Sequence, residues 1–236
     1  EALLKFFLDE YQPTAVMVPW SGGDYFDVDQ NNPSKKFDKT PTSSQVIEAV
    51  LATTTERLQD YRQDIKTAFL AMTAAKVLKK KDIEGSGGPQ RLLKAELLKG
   101  LRNSLSDNAI AWIDAASVIE PQAVAFNALL GGGGGSDGNS HFSDNFMQCL
   151  WMTLPDFEEQ RTKTVKAIGS ELGFDSCAAI EEALFGSELP GTKIRGLSPV
   201  LFDSTRVGGA NKSSGFEAPS GSNPWDYILM LEGAIL

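Results

Sequence analysis

TSSQVIEAVLATTTERLQDYRQDIKTAFLAMTAAKVLKKK, residues 42–81, carries apolar side chains at Ile47, Leu51, Leu58, Tyr61, Ile65, Phe69 and Met72. The steps are threes and fours, with one doubled step across Thr53-Thr54-Thr55, which is the stripe of a helix with one face in a core. Thr42 or Ser43 offers an N-cap, with Glu48 in the early turns. One long helix, bent at most, is predicted. Unbroken from 43 to 81 it would measure roughly 58 Å at about 1.5 Å per residue, more than a small domain's width. Such a helix lies along a large neighbour or spans two lobes, so it favours a subunit of an assembly. Lys79-Lys80-Lys81 falls in its last turn, where cations suit the helix dipole.

Working outward, Gly85-Ser86-Gly87-Gly88-Pro89 breaks the pattern, and a second helix follows with Leu93, Leu97, Leu101 and Leu105 on one face. The two helices are predicted to form an antiparallel hairpin. Ala2 to Tyr11 reads as a short helix stopped by Pro13, and Ala15 to Val18 as a brief extended run. Asp107 or Asn108 caps a helix through Trp112, and Ser143 or Asp144 caps one containing Phe146, Met147, Leu150 and Trp151. Asp156 to Leu172, Ser176 to Phe185 and a stretch from Asn223-Pro224 complete the helical reading. Period-two alternation is scarce. The expected fold is mainly α, a helical hairpin and short helices joined by long Gly-rich loops, with minor β. Three regions follow: an N-terminal one over 1–41, the basic hairpin over 42–106, and a helical region with two Gly-rich loops over 107–236.

The chain has 236 residues, 42% of them hydrophobic, ordinary for a protein with a real core. It holds no run of roughly 18 apolar residues and no leader-like N-terminus, so a cytoplasmic protein without a membrane partner is expected. It opens inside an amphipathic stretch and closes inside an apolar one, which reads as a fragment of a larger protein. Cys149 and Cys177 lie far apart in apolar contexts and read as reduced, buried residues.

A net charge of −9 argues against a free-standing nucleic-acid binder. The average hides a concentration: from Arg57 to Arg102 there are 11 Lys and Arg against 5 acids, a surplus of six, so the remainder carries −15. Lys76, Lys79, Lys80, Lys81, Arg91, Lys94 and Arg102 are therefore candidate phosphate contacts, the alternative being the wet face of a helix.

Three glycine-centred segments stand beside aromatic or amide anchors: Pro19-Trp20-Ser21-Gly22-Gly23, the run from Gly131 to Gln148, and Gly208 to Gly233. Glycine lets backbone approach a partner closely, so these read as docking loops, with Trp20, Gly22, Gly23, Gly133, Asp137, Gly138 and Asn145 as contacts. For the tract at 131–138 a flexible linker is the competing account. It lacks the Lys-Ser/Thr ending of a phosphate-binding loop. Asn211 and Lys212 carry groups that reach a base edge or a phosphate, against the alternative of a solvated turn.

Other chemistry is poorly supplied. Asp27, Asp29, Asn31 and Asp38 follow calcium-loop spacing, but Asn32 stands where glycine is needed and Asp38 where a bidentate Glu is, so an acidic turn is the better account. His141 is the only histidine, and Ser140, Ser143 and Asp144 are too local to build a triad with it. No catalytic residue, metal or cofactor is expected. Trp20, Trp112, Trp151 and Trp225 are read as core or interface anchors.

The same three glycine blocks carry a resemblance. Asn127 to Leu130, Gly131 to Gly138 and Phe142 to Gln148 are similar to the glycine-rich block of the Csx-seventeen proteins, the large subunits of subtype I-U (also I-G) CRISPR interference complexes. Pro19-Trp20-Ser21-Gly22-Gly23 resembles that family's Pro-Trp-Asn-Gly-Gly block, and Gly208-Gly209-Ala210-Asn211 through Asn223-Pro224-Trp225-Asp226-Tyr227 to Glu232-Gly233-Ala234 resembles a third, in the family's order. Ser21 and Ser136 stand where the family usually has Asn, and Asn139-Ser140-His141 is an unusual link. The resemblance implies a non-enzymatic role: recognising the protospacer-adjacent motif in double-stranded DNA, helping to open it, holding the displaced strand and recruiting the helicase-nuclease. Its implied partners are the other interference subunits and the crRNA. The competing expectation is a helical scaffold that binds protein alone.

Overall fold

The computed structural model describes residues 1–21, 43–76, 88–120, 123–126, 142–162, 173–186, 189–195 and 221–236. It is mainly helical, as the sequence predicts. In chain order the helices are α1 (Ala2–Lys5), continued by a π-helical turn over Phe6–Glu10, α2 (Ser43–Ala52), α3 (Gln59–Ala74), α4 (Gly88–Arg102), α5 (Asp107–Ala116), α6 (Phe142–Thr153), α7 (Ser176–Phe185) and α8 (Pro224–Ile235). Single 3₁₀ turns lie at Pro19–Ser21, Glu56–Leu58 and Pro155–Phe157, the last running on into helix over 158–162. Among the described residues the β content is two antiparallel pairs. β1 (Ser117–Ile119) pairs with β2 (Val124–Phe126), setting Val118 opposite Ala125, and β3 (Ile194–Arg195) pairs with β4 (Gly221–Ser222).

The predicted long helix is two helices. α2 stops at Ala52, Thr53 to Thr55 leave the helix, and a 3₁₀ turn leads into α3, which packs back against α2. Three consecutive β-branched threonines are the cause: they are stiff in a helix, and their hydroxyls offer the backbone other partners. Thr53 Oγ1 donates to the Val50 carbonyl at 3.1 Å, and Thr55 is extended at φ −67, ψ 142. The 58 Å rod does not form. The break does not shift the stripe beyond it: Leu58, Tyr61, Ile65 and Met72 are buried as the spacing predicts, but Ala68 takes the place between Ile65 and Met72 and leaves Phe69 exposed beside it, while Leu51 near the end of α2 is also exposed.

α3 ends at Ala74, and Lys76 takes a left-handed conformation at φ 57. A side chain with a Cβ is strained there, where glycine is at home. Lys76→Gly is expected to stabilise the protein by about 1 kcal/mol, read as a higher urea midpoint. Residues 77–87 lie outside the described residues. Beyond them α4 packs on α3 and buries Ala95, Leu97, Leu98 and Leu101, with Leu105 just after it. Asp64, early in α3, accepts from the Ser106 backbone N–H at 2.9 Å and from its hydroxyl at 2.6 Å. The start of α3 therefore meets the end of α4, and the two form the antiparallel hairpin.

The helix ends carry their caps, with two changes from expectation. Ser106, not Asp107 or Asn108, is the N-cap of α5, its hydroxyl accepting from Ala109 N–H at 3.3 Å. α6 begins at Phe142, so Ser143 and Asp144 lie inside its first turn. Asp175 caps α7 through Cys177 and Ala178 N–H, and Gly186 ends it in the left-handed region at φ 71. α8 starts as expected, with Asn223 as cap and Pro224 at the first position.

One core runs through the described residues, and all four tryptophans lie in it. α6 and α8 pack against each other, α2 adds to α6, and α7 to α8. Residues 14–18, which include the predicted extended run Ala15 to Val18, cross this core as irregular backbone with every side chain buried. Buried backbone polar groups need partners, and side chains of three helices supply them. Tyr61 of α3 donates to the Val16 carbonyl at 2.9 Å, Trp112 of α5 to the Met17 carbonyl at 2.7 Å, and the carboxylate of Glu232 in α8 accepts from Thr14 N–H at 2.9 Å.

Candidate nucleic-acid interface

Among the described residues the hairpin cations do not form one free patch. Lys76 is exposed just past α3, whereas Lys94 of α4 is half-buried and engaged with another group. Arg102, at the end of α4, is turned onto Asp114 of α5 and ion-paired with it. Lys99 pairs with Glu96 one turn back at 3.0 Å. Arg62 donates to Thr53 Oγ1 at 2.9 Å and to the Thr55 carbonyl at 2.8 Å, strapping the threonine break. Lys79, Lys80 and Lys81 lie outside the described residues, as does the Arg91 side chain. Exposed ion pairs such as Arg102–Asp114 contribute little to stability, about 0–1 kcal/mol, so a polyanion can displace them at small cost.

The loop contacts fare unevenly. Trp20 is 2% exposed: its indole fills the core and presents no surface to a partner, which corrects its assignment as a docking anchor. The 19–21 turn is thereby fixed at its root. Asn145 is half-buried in the first turn of α6 and engaged there. Gly22, Gly23, Gly133, Asp137, Gly138, Asn211 and Lys212 lie outside the described residues, as do His141 and the acidic run from Asp27 to Asp38. Among the described residues no group of three or more His, Cys, Asp or Glu could hold a metal ion.

Cys149 is buried, and burial pushes its thiol pKa up, away from reactivity. Cys177 is exposed, against expectation, because it sits in the first turn of α7 on its outer side.

The sequence reading missed the buried polar groups that tie the helices together. Glu232 accepts from the Tyr11 hydroxyl, from Thr14 N–H and, at 2.6 Å, from the Thr14 hydroxyl, which also lies 3.2 Å from Asn108 Oδ1. Burial first, then the neighbouring Glu232 charge, raises the Tyr11 pKa. Arg57 donates to the Leu8 carbonyl at 2.6 Å and is ion-paired with Asp156, both side chains being almost wholly buried. Arg161 donates to the Trp151 and Leu154 carbonyls at the end of α6, with burial lowering its pKa to about 10. Tyr61 is likewise raised by burial. A charge at 57 or 232 reads as surface in a one-dimensional pattern; only long-range packing brings Arg57 to Asp156 and Glu232 to Tyr11 and Thr14.

Burial also raises the Asp64 pKa, against the opposing hydrogen bonds from Ser106. A raised carboxyl contributes stability that is complete below its unfolded value of 3.8 and is lost as pH climbs through the folded value. Asp64→Asn, neutral throughout, is therefore expected to gain on the wild type as pH rises from 3.8. Urea midpoints of the two proteins at successive pH values check this, and a difference that does not change with pH refutes it.

No family model matches this chain, and a search of curated proteins finds no match either.

Proposed function

We propose that this chain belongs to the non-catalytic large subunit of a type I CRISPR interference ribonucleoprotein of subtype I-U (I-G), where it contacts target double-stranded DNA beside the adjacent motif. In that role it helps open the duplex, stabilises the displaced strand, and offers a surface to the recruited helicase-nuclease within a cytoplasmic complex of crRNA and other subunits. The three glycine blocks support the family. The observation that carries DNA contact is the cation surplus of the α3–α4 hairpin in a chain of net −9. No helix of the described residues is long and apolar enough to cross a membrane.

A protein-binding scaffold is the second reading, favoured by the pairing of Lys99 with Glu96 and Arg102 with Asp114. Charge reversal of Lys79, Lys80 and Lys81 to Glu in the assembled complex separates the two. DNA contact predicts weaker target binding and a log affinity against log salt slope shallower by up to about 2.7. Unchanged affinity and slope leave the scaffold.

A further inference from the structure

We propose that the solvent face of α3 from Lys66 to Lys76 binds single-stranded nucleic acid, an inference that rests on the nucleic-acid reading above. Residues 65–76 contain no acid, and the nearest, Asp64, is buried with both oxygens on Ser106. Lys66 and Lys76 are exposed and carry no ion pair among the described residues, unlike the neighbouring Arg57, Lys99 and Arg102. Between the lysines stand Phe69, 40% exposed, and Leu70, 68% exposed. Spacings of three and four put Lys66, Phe69, Leu70 and Thr73 on one side of the helix. The result is a stretch of helix surface with no acid of its own and an aromatic side chain between two ammonium groups that carry no ion pair among the described residues.

That chemistry favours a single strand over a duplex. A duplex shows phosphates but hides its base faces, so it gives Phe69 nothing to stack on. An unpaired strand offers both, and stacking of a base on an aromatic ring is tolerant of sequence. The ten steps from Lys66 to Lys76 span roughly 15 Å, the rise of about four stacked nucleotides. The lysines then take phosphates at either end while a base meets Phe69.

The test uses the full-length protein with fluorescein-labelled oligo-dT of about 20 nucleotides, a duplex of equal length, and anisotropy at several salt concentrations. Phe69→Leu keeps apolar bulk while removing the π-face; it is expected to weaken oligo-dT binding about tenfold and to leave duplex binding within about twofold. Lys66→Gln with Lys76→Gln, at exposed positions that do not threaten the fold, is expected to lower the oligo-dT salt slope by about 1.4. Unaltered affinity and slope in both variants overturn the proposal. So does competition by polyglutamate as effective as that by unlabelled oligo-dT, which would make this a face for an acidic polypeptide. Loss of target-duplex binding on charge reversal of Lys79, Lys80 and Lys81, with oligo-dT binding unchanged in the Phe69 and Lys66/Lys76 variants, sinks this inference alone; the converse sinks only the duplex contact.

Discussion

Arg57→Ala is expected to destabilise the protein by about 3–5 kcal/mol, because it strands the Asp156 carboxylate in the core without its cation. The guanidinium holds two elements at once: the Leu8 carbonyl at the end of the N-terminal helical turns, and Asp156 in the turn after α6. Burial lowers the Arg57 pKa, yet an arginine so near a carboxylate stays charged at neutral pH. The loss is read from urea denaturation, and its origin from a double-mutant cycle. Arg57→Ala with Asp156→Ala removes both charges, and the pair should cost clearly less than the two single losses added together. Additive losses would show that the pair does not interact. Arg57→Lys should recover only part, since one ammonium cannot match a planar fork bridging a carbonyl and a carboxylate.

Glu232→Ala is expected to cost about 3–5 kcal/mol by a different route, since it leaves the buried Thr14 N–H and Tyr11 hydroxyl without an acceptor. Glu232→Gln discriminates geometry from charge. Its amide oxygen still accepts from Tyr11 and Thr14 N–H, so most of the stability should return. A Gln variant as unstable as the Ala variant would mean that the charge itself, not the acceptor, holds residues 11–14 in place.

The helical class was legible because its signals are local. Leu97, Leu101 and Leu105 repeat at four and are buried, and Asn223-Pro224 announces the start of α8 through cap and ring chemistry. The threonine break was visible as a doubled step, but spacing alone cannot say whether a helix bends or stops there. The burial of Trp20 and the pairing of Arg102 with Asp114 depend on which surfaces meet, and meeting surfaces leave no trace in periodicity. The same limit explains Phe69: the spacing admits either Ala68 or Phe69 between Ile65 and Met72, and only the packing of α3 puts Ala68 in the core and Phe69 in solvent.

The passage of residues 14–18 through the core has a kinetic corollary. Thr14 finds its acceptor 218 positions later, at Glu232, so this contact cannot form until α8 has been made. Closing so wide a loop is slow compared with forming hairpins of neighbouring helices. On the ribosome α3 and α5 would bring partners to Val16 and Met17 first, and the latch from Thr14 to Glu232 would shut only after α8 had emerged.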